Sequence, residues 1–319
     1  MTTSTPPVLD APTSDALATS DREAARTVVR RRLSSPIATA VIVLISVLWT
    51  IPTLGLLVNS VRSKQDAATT GWWQMFTDPS FSLSGYHSVL VDNGGFVLPL
   101  ANSLAITIPG TIIPIFIASM AAYALAWMRF RGSDIIFFFL FALQVVPLQM
   151  ALVPLQRFYA HGAHIGTVTI FPSLGINGTI AQIWLSHTMF SLPLAVFLLH
   201  NFIASLPSSV IEAARVDGAS HLRIYRSIVL PLALPAIASF AIFQFLWVWN
   251  DLLVAKTFGG LDSSTQPVTA HTSSILGNFG SHQELLGPAG FLTIVVPVVV
   301  FLALQRFFVR GLLAGSVKG

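Results

Sequence analysis

The 319-residue sequence predicts an all-α, polytopic membrane protein with six transmembrane helices. Three observations carry that prediction. Hydrophobic residues make up 54% of the chain and charged residues only 9%, against roughly 25% in an average soluble protein, so too few charges exist to cover a water-facing surface. The charges fall in clusters, leaving long uncharged runs that can each hold a helix of about 20 apolar residues. The basic residues are also unevenly shared. Segments that would lie on one side of the membrane carry 13 Lys and Arg, and those on the other carry 4.

Along the chain, residues 1–35 are rich in Ala, Thr, Ser, Pro and Asp and end in Arg30-Arg31-Arg32. They read as a disordered cytoplasmic tail. The apolar run that follows is of span length and no small-residue cleavage site succeeds it, which favours a retained helix over a secretory leader. The spans read as about 37–58, 98–127, 135–156, 179–204, 233–256 and 288–308. The run 263–283 is uncharged but too rich in Ser, Thr, Gln, His, Gly and Asn to cross. Residues 36–309 thus form the transmembrane domain and 310–319 a short C-terminal tail. The positive-inside rule puts both termini and the loop 205–232 in the cytoplasm, and segments 59–97 and 257–287 outside. Prolines recur within the spans, among them Pro109, Pro114, Pro147, Pro154, Pro193, Pro235 and Pro297. They fit either kinked helices around a path or the general frequency of proline in membrane helices.

The loop 205–232 carries the most specific signal. Ser209 and Glu212 have capping-box spacing and predict a helix start at Ser209. Ala213 and Ala214 are small, strong helix formers over which another protein surface can approach closely. Asp217-Gly218 predicts a break, because glycine tolerates left-handed backbone angles. Ser220 then caps a second helix running to Val229, and Pro231 leads into the fifth span. A short helix on the membrane face is suited to docking in a partner's groove, or is an ordinary amphipathic loop.

Read as a pattern, Glu212-Ala213-Ala214, three residues, Gly218, nine residues, Ile228, one residue and Leu230-Pro231 resembles the signature of ABC importer permeases, complete at every position. The extended form 212–220, Trp249-Asn250-Asp251 and the ending from Gln305 to Gly319 resemble the maltose and α-glucoside carbohydrate type. The resemblance covers roughly residues 37–319. It implies the type I importer permease fold, with 205–232 holding a cytoplasmic coupling helix. It also implies a second homologous permease subunit, two ATPase subunits and an extracytoplasmic sugar-binding protein as partners. Glu212, Ala213, Ala214, Asp217 and Gly218 would form the contact to an ATPase subunit, and Gly315, Ser316 and Lys318 would carry a C-terminal contact to the same subunits.

The residues themselves agree with that division of labour. The three lysines, Lys64, Lys256 and Lys318, follow Ser, Ala and Val, so no Gly-Lys pair of a phosphate-binding loop exists. ATP and Mg would be bound by partner subunits, and the chain is expected to hold no cofactor and to be no enzyme. The spans lack charge in their interiors, with Asp251 and Lys256 at the outer end of the fifth and Arg306 at the inner end of the sixth, which counts against an ion-driven carrier. His187 and His200 read as packed residues or as a relay.

Gln244, Trp247, Trp249, Asn250 and Asp251 are candidates for the path of a neutral sugar. Aromatic faces stack on sugar rings and amides bond hydroxyls. The opposing reading is interfacial aromatics facing lipid, with Asp251 in a gate or in packing. Trp72-Trp73, Phe76, Phe81 and Tyr86 either dock a binding protein or cap the bundle. His161 and His164 lack acidic companions, so no metal site is expected, and no Gly-x-Ser-x-Gly nucleophile turn occurs. The sugar left open is a disaccharide such as trehalose, maltose or another α-glucoside. Other readings of six spans are a passive channel or a membrane scaffold or enzyme.

Overall fold

The computed structural model describes residues 36–92, 95–128, 130–259, 264–276 and 282–316. The expected N-terminal tail and Lys318 lie outside them. Five helices are long and apolar enough to cross a membrane, or six if one sharply bent pair counts as a single span.

The chain divides into two units, at Val58 and Asn59. The first is helix α1 (Pro36–Ser60), which ends just inside the second unit. It is strongly apolar, and nearly all its side chains are exposed. Ser46 and Thr50 hide their hydroxyls by donating to the carbonyls of Ile42 and Ser46, which removes their polarity from a lipid-facing surface.

The second unit opens with short elements: α2 (Lys64–Thr69), a 3₁₀ turn (Trp72–Phe76), α3 (Ser84–His87) and a π-helical turn (Ser88–Asp92). Helix α4 (Val97–Trp127) follows, within a residue of its predicted bounds. It packs along α7 (Ile180–Ala204) more extensively than any other described pair of elements. The seam contains Ala118, Ala122 and Ala195, all fully buried, because small residues let helix backbones approach where lipid supplies no hydrophobic drive.

The third span differs from its prediction. Residues 135–156 read as one uncharged run, but the chain forms α5 (Ser133–Leu143) and α6 (Leu148–His161), bent by 104°. Pro147 is extended in ψ (φ −59°, ψ 131°), and a proline both removes the amide that would continue the helix and disfavours helical angles in the residue before it. The all-α reading also needs an addition. Residues Ala163–Ile165 (β1) and Val168–Phe171 (β2) form an antiparallel hairpin, turned at Gly166 with φ 61°. Gly162 precedes it with φ 74°, and a Cβ there would sit 2.1 Å from the carbonyl oxygen of Phe171, so the hairpin closes only over a glycine.

Helices α8 (Ser208–Val216), α9 (His221–Ile224) and α10 (Leu230–Asn250) come next. A π-helical turn (Tyr225–Val229) joins the last two into one 30-residue helix that runs through Pro231. The fifth span thus begins before its predicted start at 233 and ends early. The backbone turns extended at Asp251, and α11 (Leu253–Phe258) is a separate element. Helix α12 (Val268–Leu276) returns to the bundle, where Asn102 on α4 donates to the carbonyls of Ser264 and Gln266 and Ser103 accepts from the Val268 amide. Helix α13 (Leu286–Ser316) continues beyond 308 as helix, so Gly315 and Ser316 lie in its last turn.

Candidate functional site

The loop between α7 and α10 is fixed from within and from α4. Gly218 adopts φ 77°, its amide donates to the Arg215 carbonyl, and the Ala219 amide donates to that of Ala214. These are the two bonds of a Schellman motif, which ends α8 abruptly. Ser220 caps the next helix by accepting from the Arg223 amide, as the sequence predicts. The capping box does not form. Helix α8 starts at Ser208 behind Pro207, with no side-chain cap, because the carbonyl of Pro207 already accepts the Val210 amide and opens the first turn.

Four hydrogen bonds tie this loop and its neighbours together. Arg215 Nη2 donates to the Trp127 carbonyl at 2.7 Å, and Trp127 Nε1 donates to the Ile203 carbonyl at 3.0 Å. Tyr123 Oη meets His221 Nδ1 at 3.1 Å and Ser119 Oγ meets Tyr225 Oη at 2.8 Å. Beneath them Ile211 and Ala214 enter a core with Ile224, Tyr225 and Val229. One face of α8 is therefore buried and the other free. Glu212, Ala213, Val216 and Asp217 are exposed, and Val216 is 88% exposed, unusual for an apolar side chain beside charged ones. Of the two alanines, only Ala213 faces outward; the small size of Ala214 serves the chain's own packing. A shallow cavity of about 280 Å³ beside α8 is lined by Asp217, Arg223 and Ile228 among others.

The five path candidates have unequal freedom. Trp249 is 1% exposed, stacks on Phe245 at 5.8 Å and donates Nε1 to the Thr293 carbonyl on α13. Gln244 is buried and donates to the Gly110 carbonyl of α4. Asn250 is exposed and donates to the Leu246 carbonyl in its own helix. Asp251 Oδ2 accepts the amides of Val254 and Ala255 and so caps α11. Trp247 alone offers an indole face to open space. It lines a cavity of about 670 Å³ between α7 and α10, with Phe190, Ser191, Ser239, Phe243 and the path candidate Gln244. The hydroxyls of Ser191 and Ser239 donate to their own helices and keep oxygen lone pairs for a ligand.

Sequence reasoning placed His187 in a span but gave it no partner. It is 1% exposed, with Nε2 3.6 Å from Asp251 Oδ2 and its ring edge-on to Trp247 at 5.1 Å. The i, i+4 spacing of Trp247 and Asp251 was the available signal for a shared face. His200 instead packs on Phe137 at 4.2 Å. His164 Nε2 faces the carbonyl oxygen of His161, the last residue of α6. Among the described residues, no group of three His, Asp or Glu could hold a metal ion.

At the end opposite the loop, Arg62 is 3% exposed and donates to Asn59, Thr70 and Gly71. Asp66 accepts from Ser63 and Ser80, and these hydrogen bonds hold its carboxyl below the usual carboxylate range. Tyr86 donates to Ser60. Of the aromatics here, Trp73, Phe76 and Phe81 remain exposed.

The family described as "Binding-protein-dependent transport system inner membrane component" matches residues 110–314, which include the whole loop 205–232. The chain belongs to this family. It is a permease subunit of an inner-membrane transporter, not an enzyme. It is 47% identical over 281 residues to the osmoprotective compounds uptake permease protein GgtD of Synechocystis sp., covering 87% of this chain and 90% of that one. It is 50% identical over 244 residues to the alpha-glucoside transport system permease protein AglG of Rhizobium meliloti, covering 76% of this chain and 62% of that one. In fold it is similar to a chain of a bacterial alginate ABC transporter solved with an alginate pentasaccharide-bound periplasmic protein. The TM-score is 0.61 at 15% identity, covering 88% of this chain and 96% of that chain. The fold is that of ABC transporter permeases.

Proposed function

We propose that this permease forms half of the translocation path of an ATP-driven, binding-protein-dependent sugar importer. The other half comes from a second homologous permease subunit. Two ATPase subunits bind ATP and Mg and dock on the loop 205–232, and an extracytoplasmic binding protein delivers the cargo. The termini and this loop lie in the cytoplasm, in line with the distribution of Lys and Arg. The observation that carries the reading is the geometry of α8. Its outer face presents Glu212, Ala213, Val216 and Asp217, while Ile211 and Ala214 pack its inner face into the core and Arg215 bonds the Trp127 carbonyl at the end of α4, so a push on α8 is passed to a membrane-spanning helix.

The cargo is a neutral α-glucoside, with a disaccharide such as trehalose or maltose as the leading class. The names of GgtD and AglG, as uptake proteins for osmoprotective compounds and α-glucosides, support this. So does the absence of Lys, Arg, Asp and Glu from the lining of the α7–α10 cavity, where Trp247 offers a stacking face. Gly315, Ser316 and Lys318 form a second contact with the ATPase subunits.

The test is uptake into proteoliposomes holding the complete complex, with labelled trehalose, maltose, sucrose and glucose. Uptake of one disaccharide that requires both ATP and the binding protein is expected. Uptake without ATP would mean a passive channel and would overturn the reading.

A further inference from the structure

We propose that His187 is a positioning residue that ties the lining of the α7–α10 cavity to the helix break at Asp251. This rests on the importer reading above. Three observations converge on it. The imidazole is buried on α7, where nothing in the amphipathic pattern requires a polar ring. Its ring packs perpendicular to that of Trp247, the one path candidate whose indole lines the cavity. Its Nε2 lies 3.6 Å from Asp251 Oδ2, while Nδ1 finds no hydrogen-bond partner among the described residues.

The arrangement spans one helical turn. Trp247 and Asp251 sit four residues apart at the end of α10, and His187 reaches both from the neighbouring helix. Asp251 is where α10 stops. Its backbone is extended and its carboxylate caps α11 through the amides of Val254 and Ala255. The angle between α10 and α11 therefore depends on where that carboxylate is held. At 3.6 Å the His187–Asp251 approach is longer than a hydrogen bond, so a small movement of either helix makes or loses one. A ring stacked on Trp247 fixes the indole, the indole fixes the imidazole, and the imidazole sets the position of Asp251. Occupancy of the cavity is thereby felt at α11, on the end of the bundle away from the docking loop.

The chain has no cysteine, so paired spin labels can be placed at Leu253→Cys on α11 and Ile112→Cys on α4, both exposed in the parent protein. The complete complex is measured in nanodiscs by pulsed electron paramagnetic resonance, with ATP hydrolysis followed in parallel using trehalose- and maltose-loaded binding protein. His187→Phe keeps an aromatic edge for Trp247 and removes Nε2; His187→Gln keeps a donor near the Nε2 position. The expected result is a narrow distance distribution in the parent and in His187→Gln, and a broad one in His187→Phe. The ratio of stimulated to basal hydrolysis falls about tenfold in His187→Phe and is restored in His187→Gln.

Asp251→Asn should reproduce the broad distribution, and the double variant His187→Phe/Asp251→Asn should be no broader than either single one, because the two groups act as a unit. Should His187→Phe fail to assemble, the distribution of Asp251→Asn decides alone. A parent-like distribution in His187→Phe or Asp251→Asn, additive broadening in the double variant, or equal loss of basal and stimulated hydrolysis would overturn the proposal. If the parent complex is stimulated by neither sugar, the sugar reading fails while the distances still judge the role of His187.

Discussion

The loop 205–232 and the end of α10 are built on opposite plans. In the loop, a contiguous segment carries the outward-facing residues, and the rest of the chain only holds it in place through α4 and a core that receives Ile211 and Ala214. At the end of α10, neighbouring residues in sequence have unrelated tasks. Trp249 packs on α13, Gln244 bonds α4, Asp251 caps α11, and Trp247 faces the cavity. A surface that meets another protein can be written in one stretch of chain. A path through a membrane has to be assembled from several helices, and each turn of a helix spends most of its side chains on holding the others.

That contrast can be broken or sharpened by substitution. The largest effect is expected at Trp249→Ala. Removing a fully buried indole together with its bond to Thr293 should cost about 3–5 kcal/mol, read as a lowered melting temperature of the complex in detergent. A melting temperature within a degree of the parent would put Trp249 on a free surface and return it to the path. Next, Ala214→Leu should overpack the core under α8 at a cost of about 1–3 kcal/mol, whereas Ala213→Leu, on the outer face, should leave stability alone and lower transport. Equal melting shifts in the two would erase the distinction between the faces.

Smaller effects follow. Gly218→Ala should cost about 1 kcal/mol. Nothing lies within 4 Å of the added Cβ, so only the positive φ is strained, and denaturant or thermal scans should show that modest loss. The smallest is a pH effect at the opposite end. Asp66 has a folded pKa below its ordinary value of 3.8, so its bonds to Ser63 and Ser80 contribute fully above about that pH and are lost as pH falls through the lower folded value. Amide exchange in residues 63–82 should accelerate below pH 3.8 in the parent, and Asp66→Asn should remove that dependence. Exchange rates that follow pH identically in both proteins would show that the carboxylate holds nothing.

The same contrast explains what the sequence made legible. The spans at α1, α4 and α7 could be bounded within a residue or two because each is a single uncharged run closed by polar residues. The break in the third span was missed because hydrophobic run length does not register backbone geometry; Pro147 was visible but was weighed only as a kink. The hairpin at 163–171 was hidden by its shortness, since three- and four-residue strands around Gly166 give too few positions for an alternating pattern to stand out. Ser209 and Glu212 had the right spacing for a capping box, yet the proline two residues before Ser209 had already set the start of the helix. In the loop 205–232, Gly218 and Ser220 could be read correctly because a Schellman turn and an N-cap are local. The partnership of His187 with Asp251 could not, since it joins residues 64 positions apart in sequence.

The central claim is that the outer face of α8 meets an ATPase subunit while the inner face belongs to the bundle. Cysteine cross-linking tests it most directly, since the chain supplies no background thiol. Ala213→Cys and Ala214→Cys would each be assembled with ATPase subunits carrying single cysteines along the cleft that receives the loop, then treated with a short bifunctional reagent. The account predicts a cross-link from position 213 that changes in yield when ATP binds, and none from position 214. No cross-link from 213 in an assembled, active complex, or a stronger one from 214, would contradict it.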